Sequence, residues 1–248
     1  MFGLKKNIKY DKKMIFVIGT GRSGTHWIGN ILSGVEEIQT FIEEKPQFPM
    51  STEMALNRFK RPELFPKLIK TYNKLYKKYY PKMILDKTHP NIWLAESLNN
   101  IFPNSCFIGM LRNPYATISS MFKHDFILKW QREWKKYPVP NEFLGITQEN
   151  KENYENLKME KKCALRWLSH KNKLYDLKNI LKEKLKIIKY EDLILNTEKE
   201  LKDLKRFLGL KKDIPFPVVK RESLDKWKKY LTEEQCENIK EVANIDFK

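Results

Sequence analysis

Two hydrophobic rhythms alternate along the chain. Short apolar runs of strand length occur at Met14–Ile18, Met83–Leu85 and Cys106–Leu111, a short strand is also predicted over Leu185–Tyr190, and between them apolar residues recur at helical spacing. Residues 62–80 show that spacing, with Leu64, Leu68, Tyr72, Leu75 and Tyr79 on one face. Further helices are predicted over Ser23–Ser33 ahead of Gly34, Glu53–Phe59, Asn91–Ile101, Pro114–Trp134, Lys161–Leu181, Glu198–Leu208 ahead of Gly209, and Thr232–Val242. Phe41-Ile42-Glu43-Glu44 leads into a polar, Pro-marked stretch ending at Pro49. Tyr137–Asn150, broken by Pro and Gly, reads as a surface loop that could border a substrate site. Strands alternating with helices, with no repeat or linker, predict an α/β fold: a doubly wound parallel sheet flanked by helices on both faces, in one domain over residues 1–248.

Composition adds bounds. An apolar fraction of 41% with 12% aromatic residues suits a globular core, and three scattered cysteines suit neither a disulfide framework nor a zinc site. No run reaches the roughly 18 apolar residues of a membrane span, and residues 1–13 are basic without an apolar core, so a cytoplasmic protein is expected. The net charge of +17 raises polyanions as partners. Its distribution argues otherwise, because lysines sit beside glutamates, as in Lys182-Glu183-Lys184, in the manner of solvated helix faces. No nucleic-acid partner is expected.

Chemistry concentrates where the first strand meets the first helix, in Gly19-Thr20-Gly21-Arg22-Ser23-Gly24-Thr25-His26-Trp27. Glycines there allow backbone N–H groups at a helix start to converge on an anion, and an arginine adds a permanent cation. The nucleotide-triphosphatase loop ends Gly-Lys-Ser/Thr, whereas here Thr25 follows Gly24 directly and the cation, Arg22, lies inside the loop. Arg112 at a strand end and Ser120 in the following helix form a second candidate phosphate clamp.

Together these residues resemble the sulfotransferases that use 3′-phosphoadenosine 5′-phosphosulfate (PAPS). The loop at 19–27, then Lys87-Thr88-His89-Pro90, then Arg112-Asn113-Pro114 with Ser120, then Tyr190-Glu191-Asp192 with Phe207-Leu208-Gly209 follow the family's order. The resemblance spans about Phe16 to Lys229 and implies a sulfotransferase fold that moves the sulfuryl group of PAPS to an acceptor hydroxyl, releasing 3′-phosphoadenosine 5′-phosphate (PAP) without a metal. It implies that Gly21, Arg22, Ser23, Gly24 and Thr25 hold the 5′-phosphosulfate, with His26 beside them where the family has Thr, and that Trp27 stacks on adenine. It implies that Arg112 and Ser120 hold the 3′-phosphate, with Tyr190 and Arg221 as further donor contacts.

An acceptor hydroxyl needs a base within hydrogen-bond reach. His89 matches the catalytic histidine of the family's cytosolic branch, whereas other branches use a glutamate just after the first helix, where Glu43 or Glu44 falls. His89 is preferred over Glu43, with Lys87 as the cation assisting the leaving group and Asp86 orienting Lys87 or His89. His124 and His170 are assigned no chemistry. The acceptor is a small molecule, a glycan or a peptide hydroxyl, in a pocket expected to draw on Phe48, Phe59, Phe126, Trp130, Trp134, Tyr137 and Phe143. The competing readings are a P-loop-like kinase or NTPase and a non-catalytic nucleotide- or polyanion-binding protein.

Overall fold

Five parallel strands in the order β2-β3-β1-β4-β5 form the sheet of the computed structural model, which describes residues 14–57 and 60–243. The chain runs β1 (Met14–Gly19), α1 (Thr25–Ser33), β2 (Ile38–Ile42), α2 (Gln47–Asn57), α3 (Leu64–Tyr79), β3 (Met83–Lys87), α4 (Ala95–Ile101) and β4 (Cys106–Leu111). It continues through α5 (Pro114–Met121), α6 (Asp125–Arg132), α7 (Met159–Leu181), β5 (Leu185–Lys189), α8 (Tyr190–Leu195), α9 (Thr197–Leu208) and α10 (Glu233–Ala243). A 3₁₀ turn, His89–Trp93, precedes α4.

The central strand β1 is buried on both faces, which is why its run is continuously apolar. Phe16 and Ile18 pack with Leu68 and Tyr72 of α3 and Trp167 and Leu174 of α7. Ile15 and Val17 face the other way, onto Ile28 and Leu32 of α1 and Leu204 and Leu208 of α9. Helices therefore cover both faces, as the alternation predicts. The connection after β1 leads to β2 on one side and that after the neighbouring β4 leads to β5 on the other, so a crevice opens between their carboxyl ends.

Four expectations change. The stretch before Glu43 is an edge strand, β2, whose residues after Ile38 are only half-buried and so lack a continuous apolar signal. The helix expected near Glu53 begins at Gln47, because Pro49 in a first turn removes no intrahelical bond; the expected end at Phe59 lies outside the described residues. The helix expected over Pro114–Trp134 is two helices, broken at His124, whose extended backbone precedes α6. The loop at 137–150 also turns inward, burying Phe143, Leu144 and Ile146 beneath Tyr154, with Asn141 Nδ2 donating to Leu56 O at 2.8 Å. Among the described residues no helix is long and apolar enough to cross a membrane.

The Phe16 ring stacks on Phe107 at 5.3 Å and meets the Tyr72 ring edge-on at 5.4 Å, fully buried. Phe16→Ala is expected to lower unfolding stability by about 3–5 kcal/mol through lost burial and an unfilled cavity. Urea unfolding checks this; a loss under about 1 kcal/mol would mean that the two faces do not fold around this ring.

Candidate active site

Every strand delivers a polar segment to the same edge of the sheet. After β1, the backbone turns through Thr20–Gly24, and Ser23 braces the turn by donating its hydroxyl to Thr20 O at 2.6 Å. Gly24 adopts φ +95° at the start of α1, where no side chain caps the helix, so its first N–H groups remain available to an anion. A Cβ at Gly24 would meet the Tyr190 ring at 2.5 Å, so only glycine fits there. Thr25 is buried at the first position of α1. Arg22 also has positive φ, +78°, and its Nε donates to Ser120 Oγ at 3.1 Å.

The segments after β4 and β5 close on this loop. Arg112 donates to Ser223 O at 3.0 Å and reaches Arg22 O at 3.5 Å, its guanidinium lies 4.1 Å from the Tyr190 ring centre, and its Nε is buried without a partner. Trp27 meets the Tyr190 ring edge-on at 5.4 Å. Tyr190 Oη and Ser223 Oγ share a hydrogen bond of 3.0 Å. Ser223 lies two residues beyond Arg221 and carries no local sequence signal of its own. Arg221 is exposed and lines a separate groove beside α8 and α9.

The third cluster joins the ends of β2 and β3. Glu43, at φ +52°, accepts a hydrogen bond from Lys87 Nζ and one of 3.0 Å from His89 Nδ1. Lys87 also donates to His26 Nδ1 at 2.9 Å, and the other His26 nitrogen lies 3.5 Å from Glu43 Oε2. The histidine in place of the family's Thr is thus a partner of the buried lysine, a link that sequence spacing does not reveal. Glu44 is exposed. Asp86 is turned away from both Lys87 and His89 as hydrogen-bond partners: it accepts from Tyr72 Oη and Asn91 Nδ2, each at 3.1 Å, and Ser51 braces Asn91 at 2.8 Å.

Burial and neighbours set the charges. Burial pushes His89 down to about 4 and Lys87 down to about 8. Burial alone would raise Glu43, but the hydrogen bonds from His89 and Lys87 and the Lys87 charge outweigh it and hold the carboxyl well below its usual range. A carboxylate only accepts, so the proton of neutral His89 sits on Nδ1 and Nε2 carries the lone pair. That Nε2 has no partner, and a Cβ at Gly21 would come within 3.2 Å of it, so the glycine keeps the space beside it open.

Lys87, Glu43, His89, His26, Gly21 and Arg22 floor a cleft of about 540 Å³. Of the expected pocket rings, Phe48, Phe126, Trp130 and Tyr137 line it, whereas Phe143 and Trp134 pack in the neighbouring core and Phe59 lies outside the described residues. His124 also lines the cleft, while His170 is buried against Trp93 with Nδ1 donating to Arg166 O at 2.8 Å. The arrangement places uncapped backbone N–H groups, a buried partnerless arginine nitrogen and a neutral imidazole at one edge of the sheet.

A sequence model of the sulfotransferase family matches residues 14–213. The fold is similar to the sulfotransferase domain from the curacin biosynthetic pathway, with a TM-score of 0.60 and 16% identity over 96% of this chain and 99% of that one. It is also similar to the sulfotransferase domain of the Synechococcus PCC 7002 olefin synthase, with a TM-score of 0.58 and 15% identity over 98% of this chain and 100% of that one. Mouse sulfotransferase SULT7A1, solved as a complex with PAP, matches with a TM-score of 0.54 and 19% identity over 93% of this chain and 82% of that one. No curated protein sequence matches the chain.

Burial pushes Asp86 from 3.8 up to about 7. The folded protein therefore keeps a proton that the unfolded chain loses, and this group's contribution to stability declines as pH rises across that window. Asn cannot titrate, so the stability of Asp86→Asn relative to the parent should improve from pH 4 to pH 7 in urea titrations. Parallel stability curves for the two proteins would show that Asp86 is already ionised in the fold.

Proposed function

Because this chain belongs to the sulfotransferase family, we propose that it moves the sulfuryl group of PAPS to an acceptor hydroxyl, with PAP as the second product. The observation that carries the reading is the meeting of Arg22, Ser120 and Arg112 at the crevice, where the buried, partnerless Arg112 Nε and the uncapped start of α1 suit an anionic ligand. PAPS, when bound, supplies the sulfuryl group and a phosphate leaving group. The PAP named in the mouse complex supports the same donor chemistry here.

Gly21, Arg22, Gly24 and Thr25 would hold the phosphosulfate end, where backbone N–H groups and a fixed cation complement oxygen charge. Ser23 would act through the turn that its hydroxyl braces. Arg112 and Ser120 would hold the 3′-phosphate, with Tyr190 beneath the Arg112 guanidinium and Trp27 against Tyr190. Arg221 would reach a donor only if its turn moved from the groove beside α9.

His89 is the base in this proposal. Its Nε2 lone pair would accept the acceptor's proton, while Glu43 holds Nδ1–H and so the ring's orientation. Glu43 itself is a poor base, because its two bonded neighbours stabilise the ionised form. Lys87 stays protonated beside Glu43 and places a cation at the cleft floor, where charge on a leaving oxygen would be neutralised. His26 steadies that ammonium from the solvent side.

PAP should bind the protein in calorimetry, with ATP binding far more weakly. Arg112→Ala removes a charge-assisted contact worth about 1.5–3 kcal/mol and is expected to weaken PAP roughly 10- to 150-fold. His89→Asn is expected to leave PAP affinity intact and lower kcat about 10²- to 10⁴-fold with labelled PAPS. Failure of the parent protein to bind PAP would overturn the donor assignment, and full activity in His89→Asn would overturn the base.

A further inference from the structure

The cleft above His89 has an unexpected charge balance. Its charged lining among the described residues consists of two cations, Arg22 and Lys87, and two anions, Glu43 and Glu53, in a chain of net charge +17. Each is already engaged: Lys87 with Glu43, Arg22 with Ser120, and Glu53 with Asn57 Nδ2 at 2.8 Å and Arg61 at 3.3 Å. Burial also pushes the three lining histidines, His26, His89 and His124, toward the neutral ring. A sulfated or carboxylated glycan needs several uncommitted cations, and the cleft offers no surplus of positive charge.

Above that polar floor the walls are rings from three segments. Phe48 of α2 stands 5.7 Å from the His89 ring, Phe126 and Trp130 lie about one turn apart on α6, and Tyr137 follows α6. Phe126 is 66% exposed at the cleft, a large aromatic left in water. Aromatic pairs prefer offset or edge-on contacts with centroids about 4.5–7 Å apart, so rings spaced around a cleft favour a flat aromatic guest. The volume of about 540 Å³ lies in the range of roughly 300–1,000 Å³ of small-molecule sites.

We infer that the acceptor is an uncharged phenol, its ring held between Phe48 and the Phe126–Trp130 face of α6 and its hydroxyl directed to His89. This rests on the sulfuryl-transfer reading. In the transfer, the phenolic oxygen forms the new O–S bond, the bond from sulfur to the donor phosphate oxygen breaks, and the phenolic proton passes to His89 Nε2. The acidity of the base agrees: an imidazole lowered to about 4 is mismatched to a water-like hydroxyl near 15.7, and less so to a phenol near 10.

The test titrates the full chain with 2-naphthol in the absence of any donor, beside a sulfated disaccharide, and in a parallel arm with PAP. Naphthol should bind saturably, the disaccharide should not compete, and Phe126→Ala should weaken naphthol about three- to tenfold with PAP affinity unchanged. The exposure of Phe126 makes this variant fold like the parent, which a thermal melt verifies. With PAPS added, 2-naphthyl sulfate should form. Absence of naphthol binding, or tighter binding of the disaccharide, overturns the inference. Naphthol binding without PAP binding supports the phenol cleft while overturning the donor reading, and PAP binding without naphthol binding does the reverse.

Discussion

All five strands are parallel, so all five carboxyl ends lie along one edge of the sheet, and that constraint assembles the site. The loop carrying Arg22 follows β1, Glu43 follows β2, Lys87 ends β3 with His89 just beyond it, Arg112 follows β4, and Tyr190 follows β5. No single segment holds the chemistry. The sheet brings five short segments together because its central strand, apolar on both faces, is clamped between α3 and α7 on one side and α1 and α9 on the other.

Within that edge, the Glu43 carboxylate organises the local electrostatics. A buried ammonium and a buried imidazole placed together would each be costly; one carboxylate accepting from both makes the cluster tenable and fixes which imidazole nitrogen faces the cleft. Holding it there has a cost of its own. Glu43 and Arg22 both have left-handed backbone, a conformation that non-glycine residues avoid at an expense of order 1–3 kcal/mol. Both stand at the cleft floor, and the Glu43 N–H bond to Lys87 O at 3.0 Å helps to hold the strained turn.

The sequence made the apolar runs at β1 and β4 legible, because strands buried on both faces have no polar alternation to obscure them. It also disclosed the loop at 19–25 and the order of motifs around Lys87, Arg112 and Tyr190. It concealed β2, whose half-exposed residues carry no strong pattern, and with it the reason Glu43 meets Lys87. Contacts across long separations were equally hidden: Lys87 with His26, Asp86 with Tyr72, and Arg112 with Ser223 each join segments that only the fold brings together. The break between α5 and α6 contains neither Gly nor Pro, so no local signal announces it, yet it turns Phe126 and Trp130 toward the cleft.

Proton abstraction by His89 requires a neutral imidazole with its proton on Nδ1, held by Glu43, and its lone pair on Nε2. Nitrogen-15 NMR of histidine-labelled protein reads that state directly. A single neutral tautomer is expected for His89 at pH 7, protonated at Nδ1. An imidazolium at that pH, or a proton on Nε2, would contradict it.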